Sequence, residues 1–553
     1  MSRPVAKAMT MLQAEAGESL SIAGHEGGSN MRAASRVLSI CLICPRYRPS
    51  FFGTEYALPL LPGDKRSASF PGALPLLAAL VPGLHSVTII DENVEPLDLA
   101  ALAGFDVIGL TGMILQKQRM REILAALHGS GPIVCVGGPY ISVDEEAFDG
   151  LCDVKFIGEA DVTWPQFLGD VASGRPIQRR YKQDAFTDLT TLPVPRYDLV
   201  QTGRYTSATT QFGRGCPFLC DFCDIIVIYG RRPRLKRPEQ IVGELDRLLG
   251  LGVRSVFFVD DNFIGNKPLA KALLQTLSEW QQGRGYPMTF STEATINLAD
   301  EPEILDLLWK ANFTSVFIGI ETPRTQSLLE TRKTQNVRGD SLQAKVERIR
   351  AAGLGIHAGF IVGFDSDDES IFDEQFEFLQ DSGIGTPFVS VLSPIPSTPL
   401  YDRLQREGRL RVEDDLAWFE PKQMSQSRLK AGYRDLNMRL YATEAFFHRI
   451  FARQLRSPAY LARRRDGRAR RKPALMSRLM TAAANAIIIG NLTRDLLRNG
   501  KLTSIGAAYL SAWWRRNLRL GRDRLRLSEY VGLCIRHWHC FRIASDSRSQ
   551  WGN

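Results

Sequence analysis

Between Val37 and about Pro399 the chain consists of two successive blocks in which short β-branched runs alternate with longer helical stretches. In the first block Val37–Cys44, Ser86–Asp91, Asp106–Leu110, Pro132–Val136 and Val154–Ile157 stand out, several of them apolar on both faces. That is the pattern of parallel strands covered by helices on both sides. It predicts an α/β fold that begins with a Rossmann-like, doubly wound domain over residues 37–170, where ligands bind at the carboxyl ends of the strands. The second block predicts strands at 207–213, 253–260, 288–293, 314–320, 356–362 and 387–393. Six β/α units suggest a partial (β/α)6, TIM-type barrel over residues 206–400, again with its chemistry at the strand C-termini.

The segments around these blocks differ in composition. Residues 1–36 are rich in Gly, Ser and Ala without periodicity, which predicts disorder. Residues 171–205 are polar and turn-rich and end in Leu192-Pro193-Val194-Pro195, which reads as a linker. Residues 401–553 read as mostly α-helical with arginine-rich connections. From Pro421 onward there are 28 Lys and Arg against 7 Asp and Glu, so the net charge of +9 conceals an acidic body and a strongly basic C-terminal extension.

No apolar h-region of a secretory signal is visible near Met1, and no apolar run reaches the roughly 18–20 residues of a membrane span. Nine scattered cysteines, an odd number, fit a reducing compartment, so a cytoplasmic protein is expected. Two cysteine clusters are discounted as metal sites. Cys41 and Cys44 lie three apart on a predicted strand and so point to opposite faces. Cys534 and Cys540, with His537 and His539, read as an amphipathic aromatic helix.

The third cluster carries the chemistry. Gly213–Asp224 (GRGCPFLCDFCD) places Cys216, Cys220 and Cys223 in a C-x3-C-x2-C loop directly after the first barrel strand. Thiolates suit iron–sulfur clusters, and a loop lets three closely spaced sulfurs converge. Three ligands on a four-iron cluster leave one iron open. Structural zinc normally takes four ligands, and no fourth Cys or His lies close by.

This loop, with Phe222 before the last cysteine, resembles that of the radical S-adenosylmethionine (SAM) superfamily. The resemblance implies a [4Fe–4S] cluster on Cys216, Cys220 and Cys223, with SAM chelating the open iron and yielding a 5′-deoxyadenosyl radical. Weaker matches follow in order. Asp260, Asp261 and Asn262 resemble the family's second-strand motif, Glu293 the third-strand end, and Gly319 with Glu321 the fourth. Gly359 and Gly363 resemble the fifth-strand motif against adenine. All would face one end of the barrel.

A doubly wound domain ahead of such a barrel resembles the cobalamin-binding (B12) class of the superfamily. There Thr111, Gly112, Gly137 and Gly138 stand where small residues let the corrin approach the backbone. The D-x-H-x-x-G cobalamin signature is missing, so the resemblance implies cobalamin without histidine as its lower axial ligand. Ser393–Tyr401 and the segment after it, with Cys44–Gly53, look like B12-radical SAM methylases, of which the hopanoid C-2 methylases are the best-known family.

The function so implied is methylation of an unactivated carbon of a small molecule, a hopanoid-like lipid among the candidates, with flavodoxin or ferredoxin as electron donor. A cobalamin-dependent cyclase or oxidative rearrangement enzyme shares every motif. A non-catalytic iron–sulfur redox sensor binding nucleic acid through the basic extension is an alternative of another class. Basic helices carrying Trp513, Trp514 and Trp538 suit peripheral contact with the inner face of a membrane. No nucleic-acid-binding module is recognisable, so no specific nucleic acid is expected.

Overall fold

The computed structural model describes residues 36–413, 416–470 and 475–546. The predicted disorder of residues 1–36 falls almost wholly outside them. In the first block, β1 (Ser39–Cys44), β2 (Ser86–Asp91), β3 (Val107–Thr111), β4 (Ile133–Gly137), β5 (Val154–Ile157) and β6 (Arg180–Lys182) form one sheet in the order β2-β1-β3-β4-β5-β6. Every pairing is parallel. Core side chains pack on both faces of this sheet, with Cys41, Ile43 and Ile108 on one and Leu42, Cys44 and Val107 on the other. Cys41 and Cys44 thus lie on opposite sides of β1, as their spacing dictates. β6 comes from the segment expected to be a linker. Its Tyr181 stacks on Phe156 of β5 at 5.4 Å, a cross-strand aromatic pair that holds this short edge strand in place.

The second block gives β7 (Tyr205–Thr210), β8 (Ser255–Phe258), β9 (Thr289–Ala294), β10 (Phe313–Glu321), β11 (Gly355–Val362) and β12 (Thr386–Val391). They are parallel and lie in sequential order. A short strand from the first block, Ser67–Ser69, extends the sheet beyond β7. The sheet curls into a half-barrel. Along β10 the buried Val316, Ile318 and Ile320 alternate with the more accessible Ser315, Phe317 and Gly319. The first set packs against the outer helices and the second lines the lumen.

The basic C-terminal residues fold as helices, among them α1 (Gln426–Leu440), α2 (Leu475–Arg498) and α3 (Leu527–Ser545). Leu429, Leu436, Tyr441, Tyr530 and Trp538 join one continuous core with the barrel residues. His537 and His539 are taken up by hydrogen bonds. His537 meets the Tyr509 hydroxyl at 2.6 Å and the Tyr441 carbonyl at 3.1 Å, and His539 meets the Ser50 carbonyl at 3.1 Å. Among the described residues no helix is long and apolar enough to cross a membrane.

Candidate active site

The three-cysteine loop leaves the C-terminal end of β7 and is braced from below by the end of β8. Asp260 Oδ1 accepts from the Gly213 N–H, and Asp261 Oδ2 accepts from the Gly215 N–H at 2.6 Å. These carboxylates therefore hold the loop's backbone. Burial, first of all, pushes the Asp260 carboxyl well up and that of Asp261 up to about 6. Asn262 connects loop and barrel, its side-chain nitrogen 4.0 Å from Cys216 Sγ and its oxygen accepting from Thr295. Cys220 is buried, and Gln335 Nε2 lies 3.6 Å from its sulfur.

Lys333 faces the cysteines of the loop. Lys333 Nζ lies 5.8 Å from the Phe222 ring centroid and exerts its field on Cys216 and Cys223, while Cys220 and Cys223 act on Lys333 in turn. Burial raises the Cys216 and Cys223 thiols, so iron binding must displace their protons. Among the described residues no three His, Cys, Asp or Glu side chains gather closely enough to share a single ion. Three thiols around one buried cation suit a larger, negatively charged iron–sulfur group better than zinc.

Lys333 escapes sequence reasoning. It lies in the polar stretch Thr331–Asn336, which reads as an ordinary loop yet is largely buried. Thr331 accepts the Asp221 N–H at 3.1 Å, and Asn336 donates to the Ile320 carbonyl at 2.9 Å, so this stretch fastens the cysteine loop to the end of β10.

The remaining strand-end residues divide by location. Glu293 faces the lumen, its carbonyl accepting the Phe263 N–H and its carboxyl making no hydrogen bond among the described residues; burial followed by the Asp261 charge pushes that carboxyl up to about 7. Glu321 bonds Lys333 at 2.6 Å and adopts φ 66°, strained for a non-glycine residue, where β10 slips register against β11. Gly319 and Gly359 keep the lumen open between them; a Cβ on Gly319 would meet the Glu321 carboxylate, and one on Gly359 the Phe317 ring. Gly363 is turned elsewhere and packs against Phe419 and Leu429 of the C-terminal extension.

The C-terminal end of the first sheet and the ends of β7 and β8 face a shared cleft of about 1220 Å³, part of it open to solvent. Thr111, Gly137 and Gly138 line it from the first sheet, and Thr210, Gln211 and Arg214 from the barrel. Gly112 packs instead against Met120 and Gln116. Gly138 has φ 100°, and a Cβ there would come within 2.3 Å of Thr111 Oγ1, so only glycine leaves this turn its shape. Trp164 also lines the cleft, and its buried indole N–H has no partner among the described residues. No histidine is among the lining residues.

A buried ionic network joins the two halves at this cleft. Arg214, two residues before Cys216, bonds Asp161 Oδ2 at 2.5 Å and Glu159 Oε1 at 2.9 Å; Arg234 bonds Glu159 at 2.9 Å. Thr187 donates its N–H to Glu159 at 2.7 Å and its hydroxyl to Asp161 at 2.9 Å. Buried arginines and carboxylates with so many partners form a directional clamp.

Residues 210–379 match the model of the radical SAM superfamily, and residues 398–552 that of a domain of unknown function, DUF4070. The hopanoid C-2 methylase of Rhodopseudomonas palustris is 36% identical over 427 residues, which are 76% of this chain and 80% of the methylase. The chain belongs to the radical SAM superfamily, among its methyltransferases. An uncharacterized methyltransferase of Synechocystis is 41% identical to this radical SAM protein over 374 residues, 67% of this chain and 69% of its own. Two solved structures share its fold at 14% identity. The methyltransferase TsrM of Kitasatospora setae, with cobalamin and a [4Fe–4S] cluster bound, gives a TM-score of 0.57 over 73% of this chain and 88% of that one. The radical enzyme OxsB, with aqua-cobalamin bound, gives 0.59 over 91% and 84%.

Proposed function

We propose that this enzyme methylates an unactivated carbon of a small molecule with an apolar body, of the hopanoid-like lipid kind, using a [4Fe–4S] cluster, SAM and cobalamin. The single observation behind this reading is the shared cleft: two parallel sheets turn their C-terminal ends toward each other, with the cysteine loop clamped between them. Bound there, cluster and SAM supply a radical that abstracts hydrogen, and cobalamin supplies the methyl group.

The chain's own residues hold the parts in line. Cys216, Cys220 and Cys223 ligate the cluster, while Asp260 and Asp261 fix the backbone that presents them. Lys333 and Glu321 form the charged end of the SAM site, where an ammonium and a carboxylate complement the carboxylate and amine of an amino acid. Glu293 and Asn262 stand between that site and the lumen. The glycine turn at Gly138 and the unpartnered Trp164 N–H suit a large, acceptor-rich ligand such as cobalamin.

A small flavin or iron–sulfur protein such as flavodoxin or ferredoxin is the proposed electron donor. Helix α2 suits peripheral contact with an anionic membrane. Its Leu479, Met480, Ile487 and Ile489 are exposed, and Arg494 and Arg498 follow them. Anaerobic reconstitution with reductant, SAM and cobalamin tests the chemistry, with 5′-deoxyadenosine and a product one methylene heavier as the expected results. Absence of 5′-deoxyadenosine would exclude the radical reading.

A further inference from the structure

Below the proposed SAM site, four lumen-side residues stand side by side across neighbouring strands: Glu293 on β9, Phe317 on β10, His357 on β11 and Thr386 on β12. Arg536 of α3 closes the Thr386 end of this row, its Nη1 3.4 Å from Thr386 Oγ1. The His357 imidazole also feels the Arg536 charge; burial and that charge push it down to about 3, so it is neutral. The row thus runs from a carboxyl group near the radical chemistry to a permanent cation at its far end.

The middle of the lumen is aromatic. Phe317 and Phe388 have ring centroids 6.0 Å apart. Phe52, on the segment that follows β1, reaches into the open side of the half-barrel and stacks on Phe388 at 4.3 Å. It remains 62% exposed, a large apolar surface turned toward the open edge of the lumen.

Arg536 has no carboxylate partner among the described residues. Among the described residues its side chain makes one long hydrogen bond, to the Thr386 hydroxyl, out of the five N–H groups a guanidinium carries. Behind it, Arg449 is fully buried, with Nε and Nη2 unbonded, and shares Tyr441 and Cys540 with Arg536 as electrostatic neighbours. Elsewhere in this chain arginines near the site are paired, as Arg214, Arg234 and Arg403 are. Arg536 keeps solvent access while burial among its neighbours opposes its charge, as on the wall of an open lumen; a guanidinium so placed without a counter-ion attracts an anionic group more strongly than the same side chain in water. A single accessible guanidinium with a planar fork matches one carboxylate.

We propose that the substrate is a carboxylic acid with an apolar body: its hydrocarbon part lies along Phe52, Phe317 and Phe388, and its carboxylate binds Arg536. The inference rests on the methylation reading of the same site and adds a chemical class to it. Arg536 is the specificity-determining residue, and His357 is a neutral hydrogen-bonding neighbour.

The test compares extracts of cells carrying the wild-type protein, Cys216→Ala, Arg536→Met and Arg536→Lys by high-resolution mass spectrometry. The relevant compound is one methylene heavier than a companion and disappears with Cys216→Ala. It should be retained on an anion exchanger at neutral pH, contain no phosphorus, and lose that retention on methyl esterification. Arg536→Met should lower its amount at least ~10-fold, as expected for a lost charge-assisted hydrogen bond, with partial recovery in Arg536→Lys. Circular dichroism and cobalamin affinity of the purified variants check the fold, and the chemistry of the wild-type product needs no variant at all. A neutral or phosphorylated product, or an unchanged amount with Arg536→Met, overturns the carboxylate assignment alone. A wild-type protein that forms 5′-deoxyadenosine but no methylene-shifted product overturns the methylation reading, and this inference with it.

Discussion

Lys333 Nζ sits 2.6 Å from Glu321 Oε1, and both side chains are buried beside the three-cysteine loop. Although burial opposes its charge, the Glu321 carboxylate and the Cys220 and Cys223 sulfurs keep the ammonium protonated. Removing one partner strands the other. Lys333→Met should destabilise the protein by about 3–5 kcal/mol, and denaturant titration checks it. Equilibrium dialysis with SAM should show affinity weakened at least ~10-fold, since the carboxylate loses its cation.

Cys216→Ala, Cys220→Ala and Cys223→Ala should each abolish the iron–sulfur absorbance and 5′-deoxyadenosine formation. Cys41→Ala and Cys44→Ala should leave the iron content unchanged, because these two thiols lie in separate cores on opposite faces of β1.

Arg214 ties the cysteine loop to the first sheet through Asp161 and Glu159. Arg214→Met leaves two buried carboxylates short of a cation and should cost about 3–5 kcal/mol. Even where the cluster assembles, the distance between the two cofactor sites is no longer fixed. The ratio of methylated product to 5′-deoxyadenosine should therefore fall, which chromatography of single-turnover mixtures measures.

Gly138→Ala places a methyl group on a backbone with φ 100° and against Thr111 Oγ1. Strain of about 1–3 kcal/mol should appear as a lower unfolding midpoint. Cobalamin retention on gel filtration should fall, while the iron content stays at the wild-type level.

Glu293 holds its proton up to about 7 in the folded chain, above the ordinary glutamate value of about 4.3. The folded state therefore binds more protons, and stability falls as the pH rises between those two values and is flat above them. The loss amounts to no more than about 4 kcal/mol in the cofactor-free protein. Glu293→Gln should flatten that slope, and urea midpoints at several pH values across the window check it.

Much of the fold was legible because buried parallel strands leave continuous apolar runs, and the barrel strands fall within a few residues of their predicted places. The cysteine loop was legible because its ligands are local in sequence. Lys333, Arg214 and Arg536 were not, for a common reason. Lys333 sits in a polar stretch, Arg214 between two glycines and Arg536 in an aromatic helix, and what each one faces arises only when distant segments meet. Strand β6 hid in a turn-rich stretch for the same cause, since three residues become a strand only against Phe156.

The lumen wall contains Phe52, on a segment that follows the first strand, and Arg536, on the last helix described. Tyr56 and His539, 483 positions apart in the chain, join these two regions directly through a 3.4 Å bond from the Tyr56 N–H to His539 Nδ1. During synthesis on the ribosome the six barrel strands emerge long before that helix does. This side of the wall therefore closes only when the two ends of the chain meet, after all six strands have been made.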